Sequence, residues 1–239
     1  MGEKKTIRVG VENNMDGRSV AWALDYMGCF ANGIDGKDAL KKIPEAMKTF
    51  RDWTMQHSID SWLRDLKDFD VQQEEVFECF FVDKDYHLAK DGYEVDAWFL
   101  DDWRPPAQLE IQHGMQVLAW SREDLLKLVS PLSPQILDRT YPKERWSIRG
   151  VLGHIGGAEH WYMQRLDRAG VAGWNLPKDE FEKLSVVRER LNQILPTLEG
   201  VDQVAGKEGE FWSPRKMLRR SIWHELDHIE HIGKLMKLA

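Results

Sequence analysis

The chain has 239 residues, enough for two domains at the usual size of roughly 100–200 residues each. With 42% apolar and 31% charged residues it reads as globular, and no apolar run approaches the roughly 18 residues needed to cross a bilayer, so a membrane partner is not expected. A net charge of -7 argues against a nucleic-acid partner, whose surface needs a basic stripe that neutralises phosphates. The start lacks the apolar stretch of a secretion signal, although Met1-Gly2 followed by Thr6 has the outline of an acylation motif. Cys29 and Cys79 lie among apolar neighbours, as two reduced thiols would in a cytoplasmic protein.

The first half mixes strand and helix periods. Thr6–Glu12 alternates Ile7, Val9 and Val11 against other residues, the pattern of a half-buried strand, and Asn13 to Gly17 supplies turn residues before a second strand over Ser19–Leu24. The run Asp25 to Gly33 then leads into a helix over Lys37–His57, where Ala39, Ile43, Met47 and Phe50 recur at helical spacing. Val76–Asp83 is apolar on both faces and predicts a central strand, and Tyr93–Leu100 offers another. Pro105-Pro106 continues neither a helix nor a central strand, so a boundary falls there between domains over 1–104 and 107–239.

The residues Val20-Ala-Trp-Ala-Leu-Asp25, Met27-Gly-Cys-Phe-Ala-Asn-Gly33 and Lys37-Asp-Ala-Leu40 resemble the HicB-like antitoxin fold over about residues 5–60. That resemblance implies a small sheet-plus-helix domain serving protein interaction or homodimerisation. Asp16, Asp25 and Asp35 suit turns and strand ends better than an acidic catalytic site.

The second half shows only helical periods. Helices are predicted over Gln108–Val129, Ser147–Ala169, Asp179–Leu198 and Ser213–Leu238, with a short turn from Ser133-Pro134. Ser213 before Pro214 is an N-cap with proline at the first helical position, and Pro131, Pro142 and Pro177 lie between helices. Four such helices with modest loops make a four-helix bundle, so the fold class is α+β in two domains.

Of eight histidines, His57, His87 and His113 have no partner at ligand spacing. The last helix differs: His224, His228 and His231 share one face, and imidazoles one turn apart can hold a common ion about 2.0–2.1 Å away. They lie opposite a stripe of Ile222, Leu226, Ile229 and Met236, so they do not fill the main core and either form a solvated stripe or line a cleft, the usual setting of a site. His224-Glu225-x-x-His228 also fits the metalloprotease motif, but eleven residues after His228 leave no room for a downstream ligand, and Glu225 reads as a surface or supporting residue. A third ligand therefore comes from upstream. The best candidate segment is Trp146 to Tyr162, which carries His154 and in which Gly150, Gly153, Gly156 and Gly157 let another helix approach closely.

That segment, with Arg219-Arg-Ser-Ile-Trp-His224 and His228-x-x-His231-Ile-Gly-Lys, resembles the DinB-like metal-binding four-helix bundles over about residues 107–239. The resemblance implies a divalent metal, zinc or nickel before iron or manganese, held by His154, His224 and His228. His231 is the alternative to His228, and Glu159 is a further alternative ligand or supporting residue. It also implies a metal-dependent transferase or hydrolase acting on a small molecule, with a low-molecular-weight thiol as substrate or co-substrate; the alternative is a non-enzymatic metal-bearing bundle joined to an interaction module. Arg215, Arg219 and Arg220 open the last helix, where cations oppose the macrodipole, and either an anionic ligand or the protein's own carboxylates would offset that cost.

Overall fold

The structure is a computed structural model that describes residues 4–238, so the acylation-like start at Met1-Gly2 lies outside the described residues. The chain divides into two compact units: one runs up to Arg104 and takes in Val204–Trp212, and the other comprises Pro105–Gln203 and the chain from Ser213. The fold is α+β, a β-sheet with a helix followed by a helical bundle. Among the described residues no helix is long and apolar enough to cross a membrane.

In the first unit, strands β1 (Lys5–Met15), β2 (Arg18–Ala23) and β3 (Phe30–Gly33) precede helix α1 (Gly36–His57), and β4 (Phe69–Glu78) follows it. The sheet order is β3-β2-β1-β4, with β1 antiparallel to β2 and parallel to β4. Asp35 caps α1 by accepting from the Asp38 amide at 2.8 Å. Ile7, Val9 and Val11 are buried on one face of β1, but the other face is covered as well. Gly10 is closed over by Phe99, whose ring would lie 2.8 Å from an added Cβ. The fully buried Glu12 carboxylate accepts from the Ala97 amide at 2.7 Å and the Trp22 indole at 2.9 Å. β1 is therefore a doubly covered central strand rather than a half-buried one.

The apolar segment Val76–Asp83, expected as one central strand, is split. β4 ends at Glu78 on the sheet edge, and Phe80–Val82 forms β5 of a separate three-stranded sheet, flanked by β6 (Leu88–Ala89) and β7 (Tyr93–Val95). The division falls at Cys79, whose amide still bonds Asn13 of β1 at 2.9 Å. Asp70, Gln72 and Glu74 keep β4 wet on one side, as an edge strand requires. The hairpin of β8 (Ala205–Lys207) and β9 (Glu210–Trp212) also joins this unit, although the sequence placed it within the helical domain. Its Phe211 ring packs 5.7 Å from Trp98 and 6.0 Å from Trp103, and Tyr93 donates to Glu210.

Arg8 on β1 joins two acidic groups, Asp25 at 2.6 Å and Asp101 at 3.0 Å. Desolvation alone would raise the Asp101 carboxyl, but the Arg8 and Arg104 guanidinium groups outweigh it and hold the carboxyl below its ordinary value. A carboxyl depressed by folding stabilises the protein above its unfolded value of about 3.9, and that contribution disappears as pH falls through the folded value. Urea denaturation of the full chain should therefore show a steeper loss of stability as pH falls below about 4 in the wild type than in Asp101→Asn. Equal slopes would refute the assignment.

The second unit is built on α2 (Gln108–Val129), the short α3 (Pro134–Leu137), α4 (Ile148–Arg165), α5 (Glu180–Ile194) and α6 (Pro214–Met236). Ser147, Asp179 and Ser213 cap α4, α5 and α6 through the amides three residues on. The four long helices pack α4 on α5, α4 on α6 and α2 on α6. The small residues of α4 act as expected where α5 approaches: an added Cβ at Gly153 would meet Glu180 at 3.3 Å, and one at Gly156 would meet Lys183 at 3.1 Å. The core is Leu125, Val129, Ile148, Val151, Leu152, Ile155, Leu184, Ile232 and Leu235 with their neighbours.

Candidate metal centre

His154 on α4 and His224 and His228 on α6 turn their rings toward one another. The Nε2 atoms of His154 and His224 are 3.0 Å apart and those of His224 and His228 are 3.2 Å apart, and the three donor atoms all lie within 4.8 Å. An imidazole nitrogen has one in-plane site, filled by either a proton or a lone pair. His224 Nε2 therefore cannot hydrogen-bond to both neighbours at once, and three nitrogens converging on one point do not satisfy each other. A cation would satisfy all three. At an ion about 2.05 Å from each nitrogen, the observed separations subtend about 94° and 103°, between octahedral and tetrahedral angles. The residues present thus fit a divalent metal with one or more open positions.

The surroundings keep the rings in place and hold His224 in the ligating form. Trp146 stacks on His154 with ring centroids 4.4 Å apart, while Tyr162 meets the His224 ring edge-on at 5.8 Å. Gly150 accommodates Trp146, whose Cβ would lie 3.0 Å from an alanine methyl there. Burial first, then the neighbouring His228, His154 and Arg220, push the His224 imidazole well below its ordinary range, so its lone pair is available near neutral pH.

The remaining candidates fall elsewhere. His231 points to Glu144 at 3.0 Å, not into the histidine cluster. Glu159 and Glu225 are buried in the bundle interior, where they bind two arginines that the sequence reading overlooked. Glu225, expected as a surface or supporting residue, accepts from Ser121 at 2.6 Å, from Arg122 at 2.7 Å and from Arg188 at 2.9 Å. Glu159 accepts from Arg188 at 2.8 Å and from Arg122 at 3.0 Å. Arg122 and Arg188 also donate across to the backbone carbonyls of Leu184 and Leu118. Desolvation would raise the Glu225 carboxyl, but Arg188 and Arg122 outweigh it and hold the group ionised.

The orientation of α6 also differs from expectation. Its buried arc runs through Ile222, Glu225, Ile232 and Leu235, whereas Leu226 is only half-buried. The histidines therefore flank the core face toward α4 and do not lie opposite it. Arg215 pairs with Glu110 within the bundle, and the Arg220 guanidinium lies 4.4 Å over the Trp223 ring. Arg219 and Arg220 are each 5% exposed, which leaves little surface for a free anion. A cavity of about 510 Å³ between α2 and α5 is lined by Arg122, Phe181, Leu184 and Arg188, but by none of the three histidines.

A second grouping, of Glu12, Cys79 and Asp96, brings donor atoms within 4.8 Å in the first unit. Structural bonds account for it: Glu12 is engaged by Ala97 and Trp22, and Cys79 donates to Glu12 at 3.5 Å. Burial and then the adjoining carboxylates push the Cys79 thiol up, and burial alone does the same for Cys29, so neither offers a thiolate.

Residues 118–232 match the DinB superfamily, and this part of the C-terminal half is a DinB superfamily domain. The match does not reach the first hundred residues, and the resemblance of the N-terminal part to HicB-like antitoxins gains no support from it. No curated protein matches the chain. A solved structure, YfiT from Bacillus subtilis, described as a probable metal-dependent hydrolase with an unusual four-helix bundle topology, is 19% identical. That likeness covers 55% of this chain and 89% of that one, with a TM-score of 0.44.

Proposed function

We propose that the helical half is a metal-dependent enzyme that activates a small nucleophile, water or a low-molecular-weight thiol, for attack on a small-molecule substrate. The observation that carries this reading is the convergence of three imidazole nitrogens, 3.0 and 3.2 Å apart, from two helices. His154, His224 and His228 would hold the ion, and being neutral they would leave it its full positive charge. Such an ion lowers the pKa of a bound water or thiol and polarises an acceptor oxygen. Trp146 orients His154 by stacking, and Tyr162 closes the site beside His224. The nucleophile comes from outside the chain, since both cysteine thiols are held protonated by their surroundings.

Untagged full-length protein should carry about one equivalent of divalent metal, and His154→Ala should carry almost none. In the cobalt-substituted protein, adding a low-molecular-weight thiol should shift the visible d–d bands by filling an open position. No metal in the wild type would overturn the reading. A cobalt spectrum indifferent to thiol and to azide would mark a closed, non-enzymatic site instead.

A further inference from the structure

We infer that the buried quartet of Arg122, Glu159, Arg188 and Glu225 is the positioning element of the histidine centre, an inference that rests on the metal reading above. Each long helix contributes one member: α2 gives Arg122, α4 gives Glu159, α5 gives Arg188 and α6 gives Glu225. Their contacts are short and directional, between 2.7 and 3.0 Å for every carboxylate–guanidinium bond among them. Ser121 fastens the second Glu225 oxygen at 2.6 Å.

Two of these residues share a helix with the ligands. Glu225 directly follows His224, so anchoring its carboxylate at the bundle centre leaves His224 about 100° away around α6. Glu159 follows His154 by five residues, which fixes the rotation of α4 in the same manner. The need for such fixing follows from magnitudes. A metal site tolerates errors of about 0.2 Å in ligand distance, whereas a slip of one residue along a helix moves a side chain by about 1.5 Å. Apolar packing constrains rotation and slip only loosely, because Leu and Ile contacts have no preferred direction. Directional bonds restrict both: Arg188 grips the two Glu159 oxygens bidentately, while Glu225 takes guanidinium bonds from Arg122 and Arg188 on one oxygen and the Ser121 hydroxyl on the other. Arg122 and Arg188 further lock α2 to α5 by donating reciprocally to the Leu184 and Leu118 carbonyls. None of the four side chains belongs to the cluster of converging nitrogens.

The test uses full-length Glu225→Gln and Ser121→Ala proteins. Zinc dissociation constants are measured by competition with a chromophoric chelator, and cobalt spectra are recorded well below the melting temperature of each variant. Zinc affinity should fall about tenfold in Glu225→Gln and by a smaller factor in Ser121→Ala, which keeps every charge, and the cobalt d–d bands should change shape in both. Lower melting temperatures with wild-type zinc constants and cobalt spectra would overturn the inference, because a purely structural quartet would give that result. If Glu225→Gln does not fold, Ser121→Ala decides alone. A wild type that binds neither ion would defeat the metal reading and this inference together, whereas normal binding in the variants would defeat this inference only.

Discussion

Replacing Arg188 with methionine should destabilise the protein by about 3–5 kcal/mol. Arg188 is 6% exposed and donates to both Glu159 oxygens, to Glu225 and to the Leu118 carbonyl. Its removal leaves two buried carboxylates facing Arg122 alone, so the interior carries an uncompensated negative charge. Desolvation opposes the charge on Arg188, yet Glu159 and Glu225 outweigh it and keep the guanidinium firmly protonated. The double variant Arg188→Met with Glu159→Met restores neutrality and should recover much of the loss, because an apolar replacement of a whole buried pair is often close to neutral. Urea denaturation of the wild type, both single variants and the double variant closes the cycle. Additive single losses, with no recovery in the double variant, would show that the two residues do not act as a pair.

The quartet was legible in principle. Arg122 lies at the phase of the apolar stripe Ile111, Leu118, Leu125 and Val129, Arg188 stands among Leu184, Leu191 and Ile194, and Glu225 among Ile222, Ile229 and Ile232. Glu159 interrupts the run of Leu152, Ile155 and Met163 in the same way. A charged residue at core phase on one helix is ambiguous, but two arginines and two glutamates on four helices form a neutral set that a shared interior can hold. The helices and their caps were plain in the sequence because proline, serine and aspartate mark ends locally. The histidine pair was plain because its spacing is fixed within one helix. What the sequence hid were relations between segments. Phe80 and Phe81 look like the middle of a strand, and only the path of the chain beyond Cys79 sends them to another sheet. The buried arc of α6 was misplaced by counting Leu226 as core, since no periodicity reveals that Glu225 has arginine partners waiting for it. Arg215, which the sequence left between an anionic ligand and the protein's own carboxylates, pairs with Glu110 across the bundle.

Zinc at a hundredfold excess over its dissociation constant should add about 2.7 kcal/mol of stability, provided the unfolded chain binds it weakly. For a chain of this size that corresponds to roughly 6–10 °C in melting temperature. The physical source is the interior cluster itself. The His154, His224 and His228 nitrogens converge within 4.8 Å of one another, and an ion would take up a lone pair from each. His224→Ala removes the nitrogen that lies between the other two, so its melting temperature should not respond to zinc. His231→Ala is the informative contrast, since His231 faces Glu144 and its loss should leave the zinc response almost intact. A zinc response that vanishes in His231→Ala and persists in His228→Ala would move the third ligand one turn along α6 and require that turn to rotate toward α4.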